Sequence, residues 1–239
     1  VTRALEQKHR IVIIPLFNEV ETIREVLAEL CRWHDGDVLL VDDGSTDGSV
    51  SQIRGCIEHR PIHLLTHERN QGYGASLIDG FRYAANHGYT QAVTMDCDWQ
   101  HQPRHVPEFF SALDDADVVS GSRYLKELPE NTEAPSDRRS LNVEITERLN
   151  TITGFNLTDA FCGFKGYRVS ALTKMFLSET GYAFPIQFWI EAWKHKLTVL
   201  EIPVARIYTG AKRSFGPVLD DSLVRKAYYQ SVIERELTR

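Results

Sequence analysis

No stretch of the 239-residue chain approaches the ~20 consecutive apolar residues of a membrane-spanning helix, so the chain is not expected to cross a bilayer by itself. No leader of the basic-then-apolar kind opens it, and its start at Val1 rather than Met leaves upstream processing open. Cysteine is scarce: Cys31, Cys56, Cys97 and Cys162 lie far apart without Cys-X-X-Cys spacing, which argues against a zinc site or a disulfide framework. Reduced thiols in a cytoplasmic protein are the simpler expectation. A basic balance is missing too. With 27 Lys and Arg against 33 Asp and Glu, formal charge -6, the chain is not a general nucleic-acid binder, although a local basic pocket for an anion remains open. There is no internal repeat, no low-complexity segment and no clean linker. The length and the 42% hydrophobic content fit a single domain with a substantial core, residues 1–121 and 122–239 forming its two halves.

What is present alternates. Ile11 to Phe17 is a continuous apolar run, the pattern of a strand buried on both faces. A helix should follow, with Asn18 as N-cap, Glu21 three residues on, and Ile23, Val26, Leu27, Leu30 and Cys31 on one stripe. Strands at Val38–Val41, Ile62–Leu65 and Gln91–Met95 alternate with helices carrying Val50, Ile53 and Ile57, then Leu77, Ile78, Phe81 and Ala85. This is an α/β pattern with a mostly parallel sheet covered on both faces, and ligands should bind outside the carboxyl ends of its strands. Three polar clusters fall at such ends: Asn18-Glu19, Asp42-Asp43 and Asp96-X-Asp98.

The second half reads less cleanly. Pro103–Leu113 predicts a helix with Val106, Phe109, Phe110 and Leu113 inward, and Ala116–Gly121 a strand delivering Ser122-Arg123-Tyr124. Leu125–Asp137, acidic and holding two prolines, predicts a mobile loop. A helix is expected from Arg138 to Thr153, a strand over Asp159–Arg168, and a helix over Phe184–Lys194 with Phe188, Trp189 and Trp193 inward. Thr198–Tyr208 reads as strand and Leu219–Leu237 as a helix whose apolar positions include Leu223, Val224, Tyr228 and Val232.

Met95-Asp96-Cys97-Asp98-Trp99-Gln100-His101 is the sharpest chemical signal. Strand alternation would put Asp96 and Asp98 on one side and Cys97 on the other, and two such carboxylates, joined by the amide oxygen of Gln100, suit one hard cation. Alone, Asp-X-Asp is weak, since acidic pairs are common on solvated loops. Its neighbours change its weight. Ile14-Pro15-Leu16-Phe17-Asn18-Glu19, Val41-Asp42-Asp43-Gly44-Ser45-Thr46-Asp47-Gly48-Ser49, Asn70-Gln71-Gly72-Tyr73-Gly74, Asp96-Cys97-Asp98-Trp99-Gln100, Gly121-Ser122-Arg123-Tyr124 and Cys162-Gly163-Phe164-Lys165 follow one another in order. In that order they resemble family 2 glycosyltransferases of the GT-A fold, and within them the dolichol- or polyprenol-phosphate mannose synthase group.

The resemblance implies a nucleotide-diphosphate sugar donor. Pro15, Phe17, Asn18 and Glu19 would line the base and ribose; Asp42 and Asp43 would hydrogen-bond the nucleoside; Asp96, Cys97 and Asp98 would lie along the donor. Carboxylates facing a diphosphate repel it, by about 4 kcal/mol per pair at about 4 Å and an effective dielectric of about 20, and a divalent cation reverses that sign. Mg²⁺ or Mn²⁺ held by Asp98, with Asp96 and Gln100 direct or through water, is therefore expected. Arg206 and Lys212, six residues apart, resemble the pair that reaches the diphosphate in such synthases. Arg123 corresponds to the base that meets an acceptor phosphate, with Arg138 and Arg139 beyond the loop.

The chain departs from the group's pattern at Asn142-Val143, where a Ser-Arg pair is expected, at Gln187, where an acidic residue is usual, and at Ser214-Phe215-Gly216; Asn142 is counted with the acceptor residues. The leading expectation is an inverting, metal-dependent transferase that moves a hexosyl group, with mannose from GDP-mannose as one candidate, to a lipid phosphate at the cytoplasmic face of a membrane. A hydroxyl acceptor stays open, and it would need a base. Asp159 is then the candidate, with Glu191 behind it. A non-catalytic nucleotide-sugar-binding protein also stays open. Neither the oligomeric state nor the donor's base is legible.

Overall fold

In the computed structural model of the chain, which describes residues 9–57, 61–208 and 215–239, seven strands form one sheet. Strands β1 (Arg10–Leu16), β2 (Asp37–Asp42), β3 (Ile62–Thr66) and β4 (Gln91–Thr94) alternate with helices α1 (Ile23–Trp33), α2 (Ser49–Ile57) and α3 (Tyr73–Asn86). A short 3-10 turn and α4 (Val106–Ala112) lead to β5 (Val118–Ser122), followed by α5 (Ser136–Thr153), β6 (Lys165–Arg168), α6 (Val169–Leu172), α7 (Phe184–Lys194), β7 (Val199–Pro203) and α8 (Ser222–Thr238). The strand order is β3-β2-β1-β4-β6-β5-β7; β6 alone runs antiparallel to its neighbours.

The apolar run of β1 behaves as its composition predicts. Ile11 and Ile13 enter the core under α3, α5, α7 and α8, while Val12, Ile14 and Leu16 enter the core under α1 and α4. A side chain fully buried in this way contributes about 1.5–3 kcal/mol. That makes β1 the common wall of both cores. The chain winds outward from β1 to β3 and then returns to pair β4 with the other edge of β1, so the carboxyl ends of β1, β2 and β4 open at a switch point where a ligand can enter.

Several expectations change. Asn18 does not cap α1: its φ is +56°, its backbone N–H meets Ser45 Oγ, and Thr22 is the cap. Asp159–Arg168 is strand only over Lys165–Arg168, because Asp159 is held by side-chain pairing rather than by a ladder. Trp193 is 39% exposed instead of inward. On α8 the buried face is Arg225, Tyr229, Val232, Ile233 and Glu236, with Leu223 and Val224 outward. The segment between β5 and α5 has no regular element, yet it is tied: Arg206 donates from Nε to Thr132 O and from Nη2 to Glu127, and its backbone N–H reaches Asn131.

The two halves meet through backbone. Ala75 N donates to Thr180 O, and side chains on Gly72 or Gly74 would collide with the carbonyls of Thr180 and Glu179. Gly72 also has φ +108°, a second reason for glycine there. The segment 178–187 is clasped in turn by α8: Glu179 accepts from Tyr228 and Arg235, and Gln187 Nε2 donates to the fully buried Glu236. This explains why position 187 is an amide. A carboxylate there would face Glu236.

Candidate active site

One cavity of about 580 Å³ opens at the switch point, and it gathers residues from both halves. From the first half it takes Pro15, Phe17, Glu19, Asp43, Asp96, Cys97, Asp98 and Gln100. From the second it takes Arg123, Arg138 and Asn142. Five expected residues lie off its wall: Asn18, Asp42, Arg139, Asp159 and Arg206. Lys212 lies outside the described residues.

The carboxylates of the first wall are held by backbone amides. Asp43 accepts from Gln71 N and Gly72 N on its two oxygens, and from His67 Nδ1 at 2.8 Å, which fixes the 70–72 turn over the cavity. Asp42, buried beside it, takes Ser45 N at 3.0 Å and so shapes the turn from behind. β4 ends at Thr94, so strand alternation does not aim Asp96 and Asp98; bends at 97–100 and Trp99 at φ +65° do. Both acids still reach the same cavity, and Cys97 packs into the core under α1 and α4. Asp98 Oδ1 accepts Gln100 N at 3.0 Å. His101, buried and stacked on Phe164, accepts Asp96 N at its Nδ1 (2.8 Å), which leaves the proton of a neutral ring on Nε2.

The second wall is basic, and its charges are paired side chain to side chain. Arg123 Nε and Nη2 grip the two oxygens of Asp159 at 2.6 and 2.9 Å. Asn142 Nδ2 adds a bond at 2.8 Å and Phe161 N another at 3.1 Å. Burial alone would raise the Asp159 carboxyl, but the guanidinium and the amide outweigh it and carry it down to about 2. Burial opposes the charge on Arg123 as well, and Asp159 reverses that, holding it well above its usual range. Asp159 is thus fully buried, saturated and off the cavity wall: it is placed as the counter-ion of Arg123, not as a base facing an acceptor. Glu191, also buried, accepts Phe176 N and Lys194 Nζ away from the cavity. Asn142, in place of the expected serine, is explained by this pairing.

Tyr124 stands beside the grip, its ring under the guanidinium groups of Arg139 (3.6 Å), Arg206 (5.5 Å) and Arg123 (5.7 Å). Arg206 is therefore committed to Tyr124 and the 127–132 segment rather than to the cavity. Arg225 was invisible to spacing because it sits on α8, about a hundred positions from Arg123; it lines the cavity, and with Arg138 it brackets the Phe215 ring at 4.7 Å from either guanidinium. Tyr73 and His101 also line the wall, and the only sequence signal for them was their place inside quoted motifs.

Among the described residues no cluster of three or more His, Cys, Asp or Glu could hold a metal alone. Asp96, Asp98 and the amide of Gln100 are nevertheless all oxygen donors on one wall. That set fits a hard cation whose remaining positions are filled by diphosphate oxygens and water.

The profile of glycosyl transferase family 2 matches residues 11–176. An undecaprenyl-phosphate mannosyltransferase of Micrococcus luteus is 29% identical over 89% of this chain and 90% of its own length. A polyprenol monophosphomannose synthase of Mycolicibacterium smegmatis is 29% identical over 92% and 84%. In structure, glucosyl-3-phosphoglycerate synthase of Mycobacterium tuberculosis, crystallised with Mn²⁺, UDP and phosphoglyceric acid, superposes with a TM-score of 0.73 over 98% of this chain and 80% of that one, at 16% identity. The architecture is thus the one the ordered motifs imply.

Proposed function

The chain belongs to glycosyl transferase family 2 and is a glycosyltransferase, and from that premise we propose that it moves a hexosyl group from a nucleotide-diphosphate sugar to a polyprenyl phosphate, with inversion. The carrying observation is the segregation of charge in the cavity. Every carboxylate on its described wall, Glu19, Asp43, Asp96 and Asp98, comes from the first half, and the arginines, Arg123, Arg138 and Arg225, all come from the second.

An acceptor entering against the second wall meets cations and no carboxylate base. A hydroxyl acceptor would need such a base; a phosphate monoester is already anionic, and its oxygen attacks the anomeric carbon as the nucleoside diphosphate leaves from the opposite face. The protein's share is then positioning and charge stabilisation. Arg123, immobilised by Asp159, orients the acceptor phosphate, with Arg138 beside it. The names of the curated relatives agree with a polyprenyl phosphate acceptor, and mannose from GDP-mannose is the first donor to test.

On the donor side Pro15, Phe17 and Glu19 line the nucleoside and Asp43 keeps the 70–72 turn in place. Asp96, Asp98 and Gln100 would hold Mg²⁺ or Mn²⁺, which, when bound, neutralises the diphosphate and stabilises charge on the leaving group. Lys212 completes this reading as a further cation for the diphosphate. A polyprenyl phosphate acceptor puts the reaction at a bilayer surface; no helix among the described residues is long and apolar enough to cross a membrane.

The test is transfer of label from nucleotide sugars into butanol-extractable lipid when polyprenyl phosphate is supplied, with and without chelator. Chelator-sensitive lipid label is expected. Nucleotide binding with no transfer to any lipid phosphate would leave a binding protein and sink the reading.

A further inference from the structure

Gly163 sits just before β6, and Thr94 Oγ1 donates to its carbonyl at 2.8 Å, which holds it across from the end of β4. A Cβ built on Gly163 would lie 2.7 Å from Tyr73 Oη, 3.2 Å from His101 Cε1 and 3.3 Å from Asp96 Oδ2. A phenol, an imidazole and a carboxylate therefore pack closely around the bare Cα of Gly163, and all three line the cavity. Any side chain at position 163 would push the phenol aside.

Tyr73 is held from two sides. It is the first residue of α3, whose start is pressed against residues 179–181, and its ring lies parallel to that of Tyr182, 6.3 Å between centroids and 13° between planes. Its hydroxyl, however, has no hydrogen-bond partner among the described residues. A phenol keeps its proton at neutral pH, so it is an O–H donor. A donor O–H beside an acceptor carboxylate matches a sugar hydroxyl, which accepts and donates at once.

We propose that Tyr73 is a specificity-determining residue for the donor: its Oη, set by its packing on Gly163, hydrogen-bonds a hydroxyl of the transferred hexosyl group on the cavity wall it shares with Asp96. This rests on the nucleotide-sugar reading above, because the sugar is the part of such a donor that lies beyond the diphosphate. Polar groups left without their partner are what let a site reject an analogue lacking a hydroxyl.

The test uses Tyr73→Phe, which keeps the ring and its contact with Tyr182. The full-length protein is titrated with the active nucleotide sugar, its singly deoxygenated analogues and the free nucleoside diphosphate. Affinity for the diphosphate should stay within about twofold, while affinity for the sugar donor falls about tenfold. One deoxy analogue should bind the parent protein as weakly as the full sugar binds the variant, with no further loss when both changes are combined. Gly163→Ala, an independent variant whose methyl would push the Tyr73 hydroxyl out of place, should likewise retain diphosphate and lose sugar affinity. Equal losses for sugar donor and diphosphate in both variants, or no loss in either, would overturn the assignment. Failure of the parent protein to bind any nucleotide sugar would overturn the reading beneath it as well.

Discussion

The two walls of the cavity handle charge in opposite ways. On the first, carboxylates are held mainly by backbone amides: Asp98 by Gln100, and Asp43 by Gln71 and Gly72 with the His67 ring beside them. On the second, a guanidinium is held by a carboxylate 36 positions away, and the paired acid is buried behind it. The first arrangement presents carboxylate and amide oxygens that suit a hard cation with its anionic ligand. The second presents positive charge whose counter-ion has been withdrawn from the cavity. An anion is expected at both walls, reached through a metal on one and directly on the other.

The sharpest break of this contrast lies in the Arg123–Asp159 pair. Removing one partner strands a buried charge, so Arg123→Ala and Asp159→Asn should each lower unfolding free energy by about 3–5 kcal/mol, read by denaturant melts. If Asp159 were instead a catalytic base, Asp159→Asn would abolish transfer and leave the melt unchanged. On the first wall, Asp98→Ala should cost transfer about 100-fold, about 2.7 kcal/mol, and remove its sensitivity to chelator while the melting curve stays put. Full activity in that variant would dissolve the donor wall.

Acid titration separates the walls further. Because Asp159 is depressed to about 2 from the usual 3.8, its stabilisation is complete above pH ~4 and is lost as pH falls toward 2, on the order of 2 kcal/mol. Asp159→Asn should flatten that part of the stability profile; an unchanged acid limb contradicts the pairing. The smallest effect concerns the scaffold. Gln187→Glu removes the amide donor to Glu236 and sets two buried carboxylates together, softened by Arg235 and Arg239 at the same oxygen, for a loss of about 1 kcal/mol. A variant as stable as the parent would show that the amide at 187 is not required by Glu236.

The first half was legible because its chemistry is local. Apolar runs such as Ile11–Leu16 announce strands, and polar residues directly after them, as at Glu19, Asp43 and Asp96, fall at the sheet's edge whatever else the chain does. Locality also marks where that reading slipped: Asp96 and Asp98 share a wall through bends and a positive φ at Trp99, not through strand alternation. The second half is built from distant pairs. Asp159 reads as a candidate base, and only the fold adds Arg123 and Asn142 around it; Arg206 reads as a diphosphate ligand, and only the fold adds its bonds to the 127–132 segment; Arg225 does not stand out at all, since a cation on a helix is ordinarily solvated. Asn142, Gln187 and Phe215, which depart from the family's pattern, answer respectively to Asp159, to Glu236 and to the Arg138 and Arg225 guanidiniums.

The central claim is that the arginine wall selects an acceptor that arrives already charged. It is tested most directly by offering the enzyme a labelled nucleotide sugar with either polyprenyl phosphate or the same polyprenol lacking its phosphate, in identical detergent, and comparing kcat/KM. Transfer to the phosphate alone is predicted. Comparable transfer to the free alcohol would contradict the account.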